Sequence, residues 1–220
     1  MPDPEICAWG VLGPDDEDGY NQGKLDRAFW NSFMQWEFFG SPSPTMMHLV
    51  ERKCLWNNAR DLSLPSGAYI EIGAGWGCSL LIAANASEQR GRGEQVFSID
   101  SFPYGREDIT RAGLTTAVAM RCGAHLITGD RRVCDWLRAE AFRLAFIDGD
   151  HASEQVWSDL HAIVPLVADG GRIMLHDVWD EHTEGPIQVW LAAHDKLVVH
   201  GARLEPVELV HCTGVLQVLR

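Results

Sequence analysis

The chain has 220 residues, 46% of them hydrophobic and 22% charged, with 18 basic against 31 acidic side chains for a formal charge of −13. This balance is that of an ordinary globular protein and excludes a disordered chain, a coiled coil and a disulfide-stapled miniprotein. No run approaches the ~20 apolar residues needed to span a bilayer. So acidic a chain is a poor partner for nucleic-acid phosphates or an anionic membrane surface. The start, Met1-Pro2-Asp3-Pro4-Glu5, lacks the basic and apolar regions of a secretory signal, so the expected location is cytoplasmic. Cys7, Cys54, Cys78, Cys122, Cys134 and Cys212 show no C-x-x-C pair and read as thiols of a reducing compartment.

In chain order, an acidic arm leads into a predicted helix over 24–39 that carries Phe29, Trp30, Phe33, Met34 and Trp36. Gly40-Ser41-Pro42-Ser43-Pro44 breaks it, and Thr45 is the expected cap of a second helix with Met46, Leu49, Val50 and Trp56. Residues 1–64 thus read as an arm and helical lid, and 65–220 as the main domain. The aromatic cluster of Trp30, Trp36 and Trp56 is read as packing rather than as a substrate roof. It would serve equally as an assembly surface in a homo-oligomer.

From 68 onward short strands alternate with helices. Strands are predicted over 69–72, 95–99, 124–128, 144–147 and 172–175, the last introduced by Gly170-Gly171. Helices are predicted over 78–87, 107–122 and 133–140. A further one carries Val156, Leu160, Ile163, Val164 and Val167, and another covers 186–194. This is the pattern of an α/β fold, a doubly wound and mostly parallel sheet with helices on both faces. Residues 204–210 and 215–219 flank a turn and read as a closing antiparallel hairpin.

In such sheets ligands bind beyond the carboxyl ends of the strands. After the first strand comes Glu71-Ile72-Gly73-Ala74-Gly75-Trp76-Gly77. A dinucleotide fingerprint would need a third glycine at 78, which is Cys78. Glu71 is a poor neighbour for a pyrophosphate and a good one for a cationic ligand. The second strand ends at Asp100 and Ser101, where a carboxylate can accept both hydroxyls of a ribose. The third ends at Gly129-Asp130, placed to accept from an adenine amino group. The fourth ends in Asp148-Gly149-Asp150-His151 and the fifth in His176-Asp177. Asp150 reads as a helix cap, and His182-Thr183-Glu184 as a solvated loop. Asp148 and Asp177, brought to one edge, would repel unless a hard cation lay between them, and such an ion would also acidify a substrate hydroxyl.

Together these residues resemble the class I S-adenosylmethionine-dependent methyltransferases over 65–220. That resemblance implies a Rossmann-like sheet of seven strands with the last antiparallel. It further implies that Glu71, Gly73, Gly75 and Gly77 hold the methionine end, Asp100 and Ser101 the ribose and Asp130 the adenine, with Asp148 bordering the donor. The text from Asp148 to His151 and from His176 to Asp177 is similar to a narrower group. These are the metal-dependent O-methyltransferases of natural-product pathways, including macrolide-sugar and cephalosporin-type enzymes. By that likeness Asp148 and Asp177 bind a divalent cation, with Mg2+ expected, and His151 is the base. His176 stands where the group has an acid, which opens a nitrogen ligand and leaves zinc, iron or manganese in play. The acceptor implied is a small hydroxylated molecule. A metal-independent methyltransferase, a nicotinamide-dependent oxidoreductase and a non-catalytic cofactor-binding protein are the alternatives.

Overall fold

The structure, a computed structural model, describes residues 47–103, 123–179 and 183–220. The helices expected over 24–39 and 107–122, the cap Thr45, Met46, Cys7, Cys122 and His182 lie outside the described residues.

The elements are α1 (Leu49–Arg60), β1 (Ala68–Ile72), α2 (Cys78–Gln89), β2 (Val96–Asp100), β3 (Ala124–Thr128), β4 (Phe142–Ile147), α3 (Ser153–Ile163), β5 (Val167–Leu175), α4 (Gly185–His194), β6 (Val198–Val199), β7 (Ala202–Val210) and β8 (Thr213–Leu219). They form one sheet in the order β3-β2-β1-β4-β5-β8-β7-β6. β1 to β5 pair in parallel, whereas β8 inserts antiparallel between β5 and β7. The two-residue β6 adds an edge strand beyond the seven expected.

Strand alternation sorts the central residues into two cores. Ile70, Ile72, Ala145, Ile147, Ile173 and Leu175 face α3 and α4, meeting Val156, Leu160, Val189 and Trp190. Tyr69, Leu144, Phe146, Met174 and Val215 face α1 and α2, meeting Leu55, Trp56, Leu80 and Leu81. β4 is buried at every position, as a strand covered on both faces must be. Trp56 is 3% exposed and belongs to the core, as its sequence context suggested.

Two boundaries differ from the sequence reading. Instead of a helix over 133–140 there is a 3-10 segment, Arg131–Trp136, capped by Asp130. β5 begins at Val167, so Gly170-Gly171 lie inside it. A register shift opposite Phe142 and Leu144 lets the strand kink there and still pair. α1 is tied down by Arg172, whose guanidinium donates to Asn58 (2.8 Å) and Asp61 (3.0 Å). Among the described residues, no helix is long and apolar enough to cross a membrane.

Candidate active site

The residues that follow the parallel strands are stitched to one another across a single edge of the sheet. The Gly73 N–H donates to the Ile99 carbonyl (2.8 Å), that of Asp148 to Ile72 (2.9 Å), that of His176 to Ile147 (3.1 Å) and that of Gly129 to Asp100 (2.8 Å). These bonds set Gly73, Asp100, Gly129, Asp148 and His176 along one edge.

The glycine loop turns through left-handed backbone at Gly73 (φ 99°), Gly75 (φ 48°) and Gly77 (φ 86°). A Cβ at Gly73 would overlap the Asp148 backbone, so two loops touch there without side chains between them. A Cβ at Gly75 would meet nothing within 4 Å, which leaves an open face over the loop. Gly77 opens α2, whose first turn presents its N–H groups beside that space.

Glu71 lies beneath the loop rather than on it. It is fully buried, and its carboxyl accepts from the hydroxyls of Tyr69 (2.7 Å) and Ser98 (2.5 Å), with Ser79 as a further partner. Burial pushes its pKa up to about 7, and the hydroxyls only partly offset that. Any influence on a cationic ligand therefore passes through the loop's underside.

Asp100 accepts from the N–H of Gly75 (2.9 Å) and of Phe102 (2.6 Å), so it braces the loop as well as facing outward. Next to it a cleft of about 390 Å³ is lined by Ser101, Thr128, Asp130, Arg132, Val133 and Trp136. Asp130 is held by a two-pronged contact with the Arg132 guanidinium (2.7 to 3.0 Å), which lowers its pKa to about 2. Trp136 is 89% exposed, a large apolar surface standing at that cleft.

At the other end, four titratable side chains converge. His176 Nδ1 lies 3.0 Å from Asp148 Oδ1 and 3.3 Å from Asp177 Oδ1. His151 reaches Asp148 through Nε2 (3.5 Å) and Asp177 through Nδ1 (3.4 Å). Asp148, His151 and Asp177 keep 22%, 21% and 21% of their side-chain surface open to the rim, whereas His176 keeps 4%. Asp177 holds a left-handed backbone (φ 54°) unusual for a residue with a side chain, and the Thr183 hydroxyl braces its carbonyl (2.7 Å). Asp150 accepts from the Ala152 N–H (2.9 Å) and shapes the turn into α3.

The electrostatics follow from this crowding. Burial favours a neutral Asp148, but His176 and His151 outweigh it and hold the carboxyl below its usual range. Burial likewise disfavours charge on His151 and His176, yet Asp148 first, then Asp177, raise both, His176 strongly. His151 Nε2 and both nitrogens of His176 are buried with no hydrogen bond in proper alignment. Buried ring nitrogens close to carboxylate oxygens but off the hydrogen-bond line are what a ligand set for a cation leaves. Asp148, His151 and His176 each bring a ligand atom within 4.8 Å of the others. These three donors fit a divalent ion, with His151 inside the cluster and Asp177 outside it, 3.3 Å from His176 Nδ1 and 3.4 Å from His151 Nδ1.

One residue escaped the sequence reading. Glu51 of α1 is 1% exposed and accepts from the N–H of His48 (2.7 Å) and Cys212 (3.1 Å) and from the Thr213 hydroxyl (3.2 Å). Its Oε2 lies 3.5 Å from His176 Nε2. Its spacing held the signal, because 51 shares a helical stripe with Cys54, Leu55 and Asn58, all buried. An acid on such a stripe needs a partner.

Residues 70–178 match the methyltransferase domain family. No curated protein matches the sequence. Among solved structures, the chain is similar to the O-methyltransferase TomG from Streptomyces achromogenes, involved in tomaymycin synthesis and solved with S-adenosylmethionine. The identity is 16% and the TM-score 0.65, over 98% of this chain and 99% of that one. It is also similar to the S-adenosylhomocysteine-bound methyltransferase PaMTH1 of Podospora anserina (14% identity, TM-score 0.65, 96% and 99% covered). A third is CalS11, a TDP-rhamnose 3'-O-methyltransferase of calicheamicin biosynthesis (17% identity, TM-score 0.54, 96% and 98% covered).

Proposed function

We infer that this protein is a class I S-adenosylmethionine-dependent methyltransferase that transfers a methyl group to a hydroxyl of a small molecule, with the help of a divalent cation. The observation that carries it is the meeting of Asp148, His151, His176 and Asp177 at the edge where Gly73 touches Asp148. Donor and acceptor sites would then adjoin. The likeness to TomG and CalS11 supports a natural-product or sugar hydroxyl as acceptor.

Each part of the edge has a task. The open face over Gly75 and the first turn of α2 would receive the methionine end, and Asp100 with Ser101 the ribose. The cleft at Asp130 and Trp136 would take the adenine. Asp148, His176 and Asp177 would hold the ion, which when bound acts as a Lewis acid toward the acceptor hydroxyl. His151 would accept the hydroxyl proton, its ring steadied between Asp148 (3.5 Å from Nε2) and Asp177 (3.4 Å from Nδ1). The carboxylates that raise its proton affinity also stabilise the imidazolium formed. Holding two reactants in line accounts for most of what such an enzyme must supply.

The test uses S-adenosylmethionine labelled in its methyl group with a panel of TDP-sugars and catechols, before and after exhaustive chelation. Label should reach an acceptor oxygen, stop after chelation and return with added divalent ion. Undiminished transfer after chelation would support the metal-independent alternative instead.

A further inference from the structure

We propose that Glu51 is a positioning residue for His176, one that makes its Nδ1 a metal ligand and so tunes the site toward a first-row transition ion over magnesium. This rests on the metal-dependent reading of the site given above.

The reasoning starts from the ring's two nitrogens. Nδ1 faces Asp148 (3.0 Å) and Asp177 (3.3 Å), the side on which an ion would sit. Nε2 faces Glu51 (3.5 Å). A neutral imidazole carries one proton, and it can offer Nδ1 as a lone pair only if that proton resides on Nε2. There Glu51 is the carboxylate within reach. An outer carboxylate behind a ligating histidine is a recurrent way to fix tautomer and ring direction and to raise ligand basicity.

Glu51 is suited to this because it is itself immobilised. Two backbone N–H groups and the Thr213 hydroxyl hold it, which leaves little freedom to swing away. The Phe146 ring edge-packs against His176 (centroids 6.1 Å apart) and restricts the imidazole from the other side. The resulting set mixes two carboxylates with imidazole nitrogen. Magnesium strongly prefers oxygen alone, whereas manganese, iron and zinc accept nitrogen. α1 thereby becomes part of the catalytic site without touching substrate.

The test is calorimetric titration of the full-length protein with MnCl2, ZnCl2 and MgCl2. Wild type should bind Mn2+ or Zn2+ at least about tenfold more tightly than Mg2+, and Glu51→Gln should weaken transition-ion binding by about 10- to 100-fold. The affinity for S-adenosylhomocysteine should stay unchanged. A second cluster, Glu51 with His211 and Cys212, also brings ligand atoms within 4.8 Å, so Cys212→Ser is the control and should leave ion affinity intact. Should Glu51→Gln not fold, 15N-histidine spectra of the Zn2+-loaded wild type still decide, with a proton on Nε2 and metal on Nδ1 of His176 expected. A preference for Mg2+, equal ion affinity in Glu51→Gln, loss of binding in Cys212→Ser, or metal on Nε2 would each overturn the proposal. If wild type bound no ion at all, the metal-dependent reading itself would fall. Retained binding in Glu51→Gln with loss in Asp177→Asn would remove only the role given to Glu51.

Discussion

The carbonyl of Asp148 occupies the space that a side chain on Gly73 would need. The glycine loop after β1 and the loop after β4 are therefore in backbone contact, and the distance between them is fixed by the absence of one methyl group. Gly73→Ala should overlap that backbone and also strain φ at 99°, at a cost of about 2 kcal/mol or more. Gly75→Ala has no such neighbour and should cost only about 1 kcal/mol of stability. Its new methyl would instead enter the open face, so affinity for S-adenosylhomocysteine should fall tenfold or more. Thermal melts beside calorimetric titrations separate the two effects. Equal behaviour of the two variants would contradict this division of labour.

Much of this edge was legible in the sequence, because glycine spacing and strand-end acids are local signals. The turn from β1 into α2, the ends of β2 to β5 and the closing hairpin all follow from short-range periodicity. The stripe that buries Glu51 was in the sequence, but its partners were not, since His176 and Cys212 lie far along the chain and are reached only once α1 packs on the sheet. Glu71 was placed at the loop but not beneath it. Strand alternation turns it away from Ile70 and Ile72 and toward Tyr69 and Ser98, onto the face that α1 and α2 cover. The engagement of Asp130 by Arg132 is local, yet it depends on a 3-10 turn where the apolar spacing suggested a longer helix.

In the proposed mechanism Asp148 and Asp177 carry the ion-binding half of the site. Asp148→Ala and Asp177→Ala should each abolish methyl transfer and metal binding while affinity for S-adenosylhomocysteine stays within about threefold of wild type. Parallel loss of cofactor affinity would assign these aspartates to the nucleotide pocket instead. The backbone contact with Gly73 does not require the Asp148 side chain, which is why the two functions should separate.

Asp100 joins the cleft lined by Ser101 and Asp130 to the glycine loop through the Gly75 N–H. Asp100→Asn keeps the size of the side chain but replaces one accepting oxygen with a donor that faces either an N–H or a ribose hydroxyl. Affinity for S-adenosylhomocysteine should drop by about 10- to 100-fold, or ~1.4 to 2.8 kcal/mol. Titration against adenosine alone should show a loss of similar size if the ribose is the group held. A loss confined to S-adenosylhomocysteine would place the effect at the loop.

Glu71 makes the stability of the fold depend on pH. Its folded-state pKa, raised by burial to about 7, lies above the value near 4.5 that it has when exposed. Between those values the folded state holds a proton that the unfolded state releases. The contribution is complete below about pH 4.5, declines as pH rises and is spent above about pH 7. The size is on the order of a few kcal/mol, small against the total that folding must balance but large against the net. Glu71→Gln mimics the protonated carboxyl and can still meet the Tyr69, Ser98 and Ser79 hydroxyls. Denaturant midpoints measured from pH 5 to pH 8 should therefore fall in wild type and stay flatter in the variant. A wild-type slope of opposite sign, or one that Glu71→Gln leaves unchanged, would mean that another group governs the transition.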